Sequence, residues 1–302
     1  MSLNSSTNTD DSLSYPQLYS INSSLDFELF CSFAQSSLVI TILTVTNSFL
    51  LFPLCIVVLY LGLQRWRQQR SSTAALMTHS DCFTYHMALM EIIKVFGTIL
   101  CCTGMYMFDF KMLLAWMFLF NFTWYGETFF HNLTCAEHYV AVVHPIVYLS
   151  LRKQRGIRIR NIINGCIWLF CFGGTFVNIV FKVPVTVDFC FLISFFIITS
   201  YCCLSVLYVL IRPGPGDQGR DRERVDQSKL KAFYTILAIL GVMLLRCIWY
   251  LVWFVLLMLN DEISRCVWII CDSWINIPSS LVLPLLFIQR AGRLACCKNN
   301  MK

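Results

Sequence analysis

Charge is scarce in this chain. Only 13% of its 302 residues are Asp, Glu, Lys or Arg, and 57% are hydrophobic, whereas soluble domains carry about 25% charged residues. With a mean hydropathy of +0.65, the composition is that of an integral membrane protein. Lys and Arg are absent from residues 1–36, which excludes the basic start of a cleaved signal peptide and leaves a tail that is easy to translocate. The chain has no HExxH, no GxSxG and no paired aspartate motif, so nothing points to a metalloprotease, a serine hydrolase or a membrane aspartyl protease. No enzyme activity, cofactor or metal is expected. The 16 cysteines do not outline a disulfide scaffold. Most lie inside apolar runs, where Cys acts as a small hydrophobe, and Cys82, Cys101, Cys102, Cys202 and Cys203 have no metal-ligand spacing.

The long apolar runs carry the fold. Seven of them lie near 38–63, 83–107, 112–143, 162–182, 187–212, 230–259 and 264–288, each near or above the roughly 20 residues that cross a bilayer as a helix. The fold class is therefore all-α, a seven-transmembrane helix bundle. It divides into an extracellular tail (1–37), the bundle (38–288) and a cytoplasmic segment (289–302). The third run is the least uniform, with Glu127, His131 and Asn132 inside it. Of the 23 Lys and Arg, 18 fall in the loops after runs 1, 3 and 5 or in the C-terminal tail. This asymmetry places the N-terminus outside and the C-terminus inside. It also accounts for the net charge of +6 without a nucleic-acid partner. The segment 212–224, rich in Pro, Gly and mixed charge, reads as a flexible linker. Asn4 and Asn22 open glycosylation triplets.

One stretch is more specific. Glu137-His138-Tyr139, followed by Val142-Val143-His144-Pro145-Ile146, resembles the acid-Arg-Tyr signature and its continuation in rhodopsin-like G-protein-coupled receptors, with His138 where that family carries Arg. Other segments are similar to the family in weaker form. Glu91 in Met87–Ile92 stands for its acid in the second span, and Trp168 and Tyr208 fall at its Trp and Tyr positions. Leu283-Pro284-Leu285-Leu286-Phe287 resembles its Asn-Pro-x-x-Tyr motif, and residues 289–297 resemble its short amphipathic eighth helix. The Pro of the family's sixth span is missing from Arg246–Tyr250, and the outer cysteine of its third span has no counterpart in 109–113.

The resemblance implies a receptor of the plasma membrane that binds an extracellular ligand and signals through a heterotrimeric G protein. Glu137, His138, Tyr139, Tyr208, Pro284 and Phe287 would form its coupling and switch elements. Phe120 stands near the family's amine-binding Asp, which argues against an amine ligand. With the usual third-span cysteine missing, Cys31 would pair with Cys266 or Cys271. Cys296 and Cys297 lie beside Arg290, Arg293 and Lys298 at the inner surface, where palmitoylation is expected alongside contacts with membrane lipids.

Ionisable residues inside spans are expensive and mark function by default. Glu91 and Lys94 are three apart and can pair on one helix face. Glu127, His131 and His138 share one face of the third span. Set against Glu137, the resemblance puts Glu127 beside the family's sodium pocket, next to Glu91, with Ser279 and Ser280 approaching from the seventh span. Either one carboxyl stays protonated or a cation, Lys94, Arg246 or sodium, offsets the pair. Tyr106, Phe120, Trp124, Tyr250, Trp253 and Trp274 either line an outward-facing cavity or form an interfacial belt. Two further readings stay open: an ion or proton transporter or channel using the buried charges, and a receptor-like decoy that binds without signalling.

Overall fold

The computed structural model describes residues 38–71, 79–151, 153–181, 185–211, 220–259 and 265–299. Every described element is helical. Helix α1 is helical over 38–46, passes through a π turn at Asn47–Leu51 and continues as Phe52–Ser71. The π turn has a local cause. Pro53 offers no N–H to the carbonyl of Phe49, and the Phe52 N–H reaches back five residues to Asn47. Five further long helices follow as α2 (His79–Met107), α3 (Phe110–Val143), α4 (Gln154–Phe181), α5 (Val185–Ile211) and α6 (Arg220–Leu259). The last helix is α7 (Arg265–Asn299), and the seven-residue helix Pro145–Leu151 joins α3 to α4.

Six of these helices are long and apolar enough to cross a membrane: Leu38–Gln64, Asp81–Met107, Gln154–Phe181, Thr186–Ile211, Ala232–Leu256 and Cys271–Gln289. Their outward faces are apolar, with Phe49 79%, Leu169 74% and Ile211 71% exposed, whereas the interior holds buried polar and charged side chains among its apolar core. That inversion of the soluble pattern suits a lipid surround, and the architecture is that of a multi-pass membrane protein. Helix α3 is not among the six, although it spans 34 residues, about 50 Å at 1.5 Å per residue. It packs against α2, α4, α5, α6 and α7, and its middle turns, from Phe122 to Thr128, are buried in protein. A helix that faces protein has no need of an apolar surface, which explains why Thr123, Glu127, Thr128, His131, Asn132 and Thr134 all sit there fully or almost fully buried.

Three expected boundaries move. Helix α4 begins at Gln154 and α6 at Arg220, ahead of the apolar runs expected from 162 and 230, because the cationic stretches hold no Gly–Pro breaks and extend the helices; the membrane-crossing stretch of α6 itself is Ala232–Leu256. The linker expected over 212–224 is thereby shortened at its C-terminal end. The separate eighth helix is replaced by a continuation: α7 runs unbroken through Gln289 to Asn299. Its two internal prolines, Pro278 and Pro284, remove one backbone donor each but do not end the helix. Asn4, Asn22 and Cys31 lie outside the described residues, as do the side chains of Cys266, Cys296 and Cys297. Cys271 is half-buried and free.

The α2–α3 connection is the tightest. The Asp109 N–H bonds the Gly104 carbonyl at 2.9 Å, closing α2 with a Schellman turn. The Asp109 side chain then caps α3 by accepting from the Lys111 N–H at 2.9 Å. The turn forces Phe108 to φ 55°, a region that costs a residue with a Cβ about 1–2 kcal/mol. Phe108→Gly is therefore expected to raise stability by about 1 kcal/mol, checked by thermal unfolding of the purified protein in detergent. An unchanged or lower midpoint would show that the Phe108 side chain contributes more than its backbone costs.

Candidate functional site

Three helices bring charge to one point in the bundle, and a fourth adds a hydroxyl. Glu127 of α3 is fully buried and accepts from Lys94 Nζ of α2 on one oxygen and from Arg246 Nη2 of α6 on the other. Lys94 also donates to Ser280 Oγ of α7 at 2.8 Å and stands 3.7 Å from Glu91 Oε2, one turn away on its own helix. Arg246 donates through Nη1 to Thr128 Oγ1 at 3.3 Å. One turn further along α3, His131 Nε2 lies 2.9 Å from Ser279 Oγ. Ser280 passes its own proton to the Asn276 carbonyl at 3.1 Å, and Asn276 Nδ2 donates to Asp272 Oδ2 at 2.9 Å. Thr199 of α5 joins through Asn132 Oδ1 at 2.9 Å.

The junction is asymmetric. Glu127 has two cations, while neither oxygen of Glu91 has a hydrogen bond and its ion pair is the longer one. A buried ion is tolerable only when its partners replace the lost water. Lys94 is the shared group that serves both carboxylates. The arrangement links α2, α3, α6 and α7, so relative movement of these helices must break or exchange charged contacts.

The expected residues therefore assemble in part. Glu91, Lys94, Glu127 and His131 come together with Ser279 and Ser280, and the cation offsetting Glu127 is a pair of side chains. Of the aromatic set, Trp124 and Tyr250 meet with ring centres 6.0 Å apart, and Trp253 is also buried. Phe120 belongs instead to a cluster with Ile40, Leu113 and Trp116, on which Trp274 packs. Tyr106 does not join either group: it is 61% exposed, and its hydroxyl lies 3.0 Å from Thr41 Oγ1 on α1.

At the C-terminal end of α3, Pro145 disfavours helical geometry for the residue before it, and His144 breaks the helix at φ −127°, ψ 62°. The helix that follows lets the Tyr148 hydroxyl donate to Glu137 Oε1 at 3.4 Å, while Tyr139 Oη lies 3.4 Å from His144 Nε2. His138 is half-buried and Tyr208 exposed. Pro284 is buried within α7, and Phe287 packs edge-on against Tyr85, 5.5 Å between ring centres. Trp168 Nε1 donates to His86 Nδ1 at 3.2 Å.

Two groups escaped the sequence reading. Asp272 and Asn276 share the α7 face of Ser279 at spacings of four and seven, a signal that was legible once one polar position on α7 was fixed. Tyr125, Asn178 and Asp188 come from α3, α4 and α5. The Tyr125 hydroxyl donates to Asp188 Oδ1 at 2.7 Å, and Asn178 Nδ2 to Asp188 Oδ2 at 3.3 Å. No spacing rule connects those three. Among the described residues no group of His, Cys, Asp and Glu is arranged to hold a metal ion.

No family model matches the chain, and no curated protein matches it. The fold and the site define an all-helical membrane protein with a charged junction at its centre.

Proposed function

We propose that the chain is a cell-surface receptor of the rhodopsin-like kind. In this reading α3 crosses the membrane as the third of seven spans, the N-terminus is extracellular and the C-terminus cytoplasmic. A ligand bound between the outer ends of the helices shifts the bundle between two arrangements, and the inner ends engage a heterotrimeric G protein. The observation that carries the reading is the junction of Lys94, Glu127, Arg246 and Ser280. It sits on the central helix, three turns outward of Glu137-His138-Tyr139, and ties together the helices that would have to move. A bistable element whose equilibrium the ligand biases is what a receptor requires. All three charges of the Lys94–Glu127–Arg246 set are bound to each other, which favours a latch over an ion path.

The coupling element tests the reading. An Arg at position 138 would be permanently charged and present five donors in a planar fork, whereas His is shorter and mostly neutral at pH 7 when unperturbed. His138→Arg is expected to raise basal G-protein activation at matched surface expression, and His138→Ala to lower any signal present. The measurement is a panel covering every G-protein class, with ion flux recorded in the same cells. Silence of all three proteins leaves the decoy reading, and a flux abolished by Glu127→Gln leaves the transporter.

A further inference from the structure

The start of α4 carries cations that its own stretch of chain leaves unmatched. No Asp or Glu occurs between Glu137 and Asp188, and Glu137 is engaged by the Tyr148 hydroxyl. Arg155 and Arg158 are exposed, and among the described residues neither has an ion pair. Arg160 donates to Asn161 Oδ1 through Nε at 3.3 Å and Nη2 at 3.2 Å, which leaves Asn161 Nδ2 as a donor. Gln154, Arg155, Ile157, Arg158, Asn161 and Ile162 line an open groove of about 650 Å³, with no acid in its wall. Apart from Arg155, these residues follow Gln154 at steps of three, four, seven and eight, so they form one helix face. The inward face of α4 is a different one, made by Gly156, Asn164, Ile167, Cys171 and Thr175.

Helix length sets the depth of this groove. The membrane-crossing stretch Gln154–Phe181 has 28 residues, about 42 Å at 1.5 Å per residue. The hydrocarbon layer is about 30 Å thick, and about 40–45 Å with its headgroups. The surplus falls at the cationic start, because the other end is apolar, with Val177, Val180 and Phe181 exposed. The groove therefore stands at headgroup depth. Ile162, 59% exposed, with Ile159 and Ile163, begins the lipid-facing surface beside it.

We infer that this groove seats the headgroup of an anionic phospholipid, with Arg155 and Arg158 on its phosphate and Ile157 and Ile162 along its glycerol and upper acyl chains. A guanidinium presents paired donors that match phosphate oxygens, and Gln154 and Asn161 add neutral donors for the rest of the headgroup. Charge selects the occupant. A choline lipid brings its own cation, whereas an anionic lipid brings the counter-charge that the stretch from 138 to 187 lacks. The aliphatic side chains beside the cations separate a lipid from a free anion, which has nothing to lay against them. The inference depends on α4 crossing the membrane and not on G-protein coupling.

Full-length protein in phosphatidylcholine nanodiscs would be titrated with a photoactivatable phosphatidylserine, and the adducts mapped by mass spectrometry after chymotryptic digestion. Saturable labelling is expected within 154–162, suppressed by unlabelled phosphatidylserine but not by added phosphatidylcholine or inorganic phosphate. Arg155→Gln with Arg158→Gln should raise the half-saturating lipid concentration at this site about thirty-fold, from roughly 1 kcal/mol per cation. Both side chains are exposed, so the variant should unfold at the same temperature as the native protein. Arg155→Lys with Arg158→Lys keeps the charge and should lose much less. Lys298→Gln with Lys302→Gln makes the same charge change at the C-terminus and should leave labelling at 154–162 as it was. Suppression by inorganic phosphate would make the groove a site for a free anion and overturn the lipid. Equal weakening by the Lys298 and Lys302 variant would reduce the effect to net charge. Labelling that survives the Arg155 and Arg158 variant, or that phosphatidylcholine suppresses as well, also overturns the assignment.

Discussion

Glu127→Leu is expected to be the most damaging single substitution in the bundle. It removes the one anion that both Lys94 and Arg246 bind. Lys94 keeps Glu91 at 3.7 Å, but Arg246 loses its ion pair and keeps a single hydrogen bond, to Thr128. Breaking a buried pair by removing one partner costs about 3–5 kcal/mol, whereas replacing both by apolar groups is often close to neutral. The double variant Glu127→Leu with Arg246→Met should therefore recover most of the folded protein that the single variant loses. The measurement is the monodisperse fraction on size exclusion after detergent extraction, together with surface expression. A double variant as poor as Glu127→Leu alone would show that the damage comes from lost volume and not from the stranded cation. Arg246→Met by itself should be the mildest of the three, since Glu127 retains Lys94.

Much of this junction could be read from one-dimensional spacing, and the limits of that reading are physical. Glu91 and Lys94 pair because residues three apart share a helix face, which holds whatever else the chain does. Ser279 and Ser280 were placed near Glu127 by the resemblance to a receptor family, and they contact His131 and Lys94. What spacing alone left open is the choice between partners on different helices. Lys94 sits closer to Glu127 than to Glu91 because the rotation of α2 against α3 is set by packing, with Gly126 allowing Met90 to lie against the α3 backbone. A Cβ at Gly126 would meet the Met90 side chain at 2.7 Å. The same limit hid Asp188, whose partners come from two other helices, and misplaced Tyr106, since hydropathy does not say which face of α2 turns toward lipid. Helix α3 was legible as a long helix only by its length and place in the order, because the central helix of a bundle needs no apolar coat.

Lys94→Met gives the second large effect, and its rescue pattern reports which carboxylate depends on the lysine. In the native protein Glu127 has Arg246 as a second cation, while Glu91 has no hydrogen bond and only the 3.7 Å contact to Lys94. Removing Lys94 therefore strands Glu91 more than Glu127, at a cost of about 3–5 kcal/mol. Adding Glu91→Gln removes the stranded charge with little change of shape, so the double variant should regain most of the lost folded yield. Adding Glu127→Gln instead strands Arg246 while leaving Glu91 charged, and that double variant should fall below Lys94→Met alone. The ordering is read from thermal unfolding and surface expression of the four proteins prepared side by side. If Glu127→Gln rescues Lys94→Met as well as Glu91→Gln does, the lysine serves both acids equally. In that case Arg246 is not the principal partner of Glu127, and the latch between α3 and α6 loses its electrostatic basis.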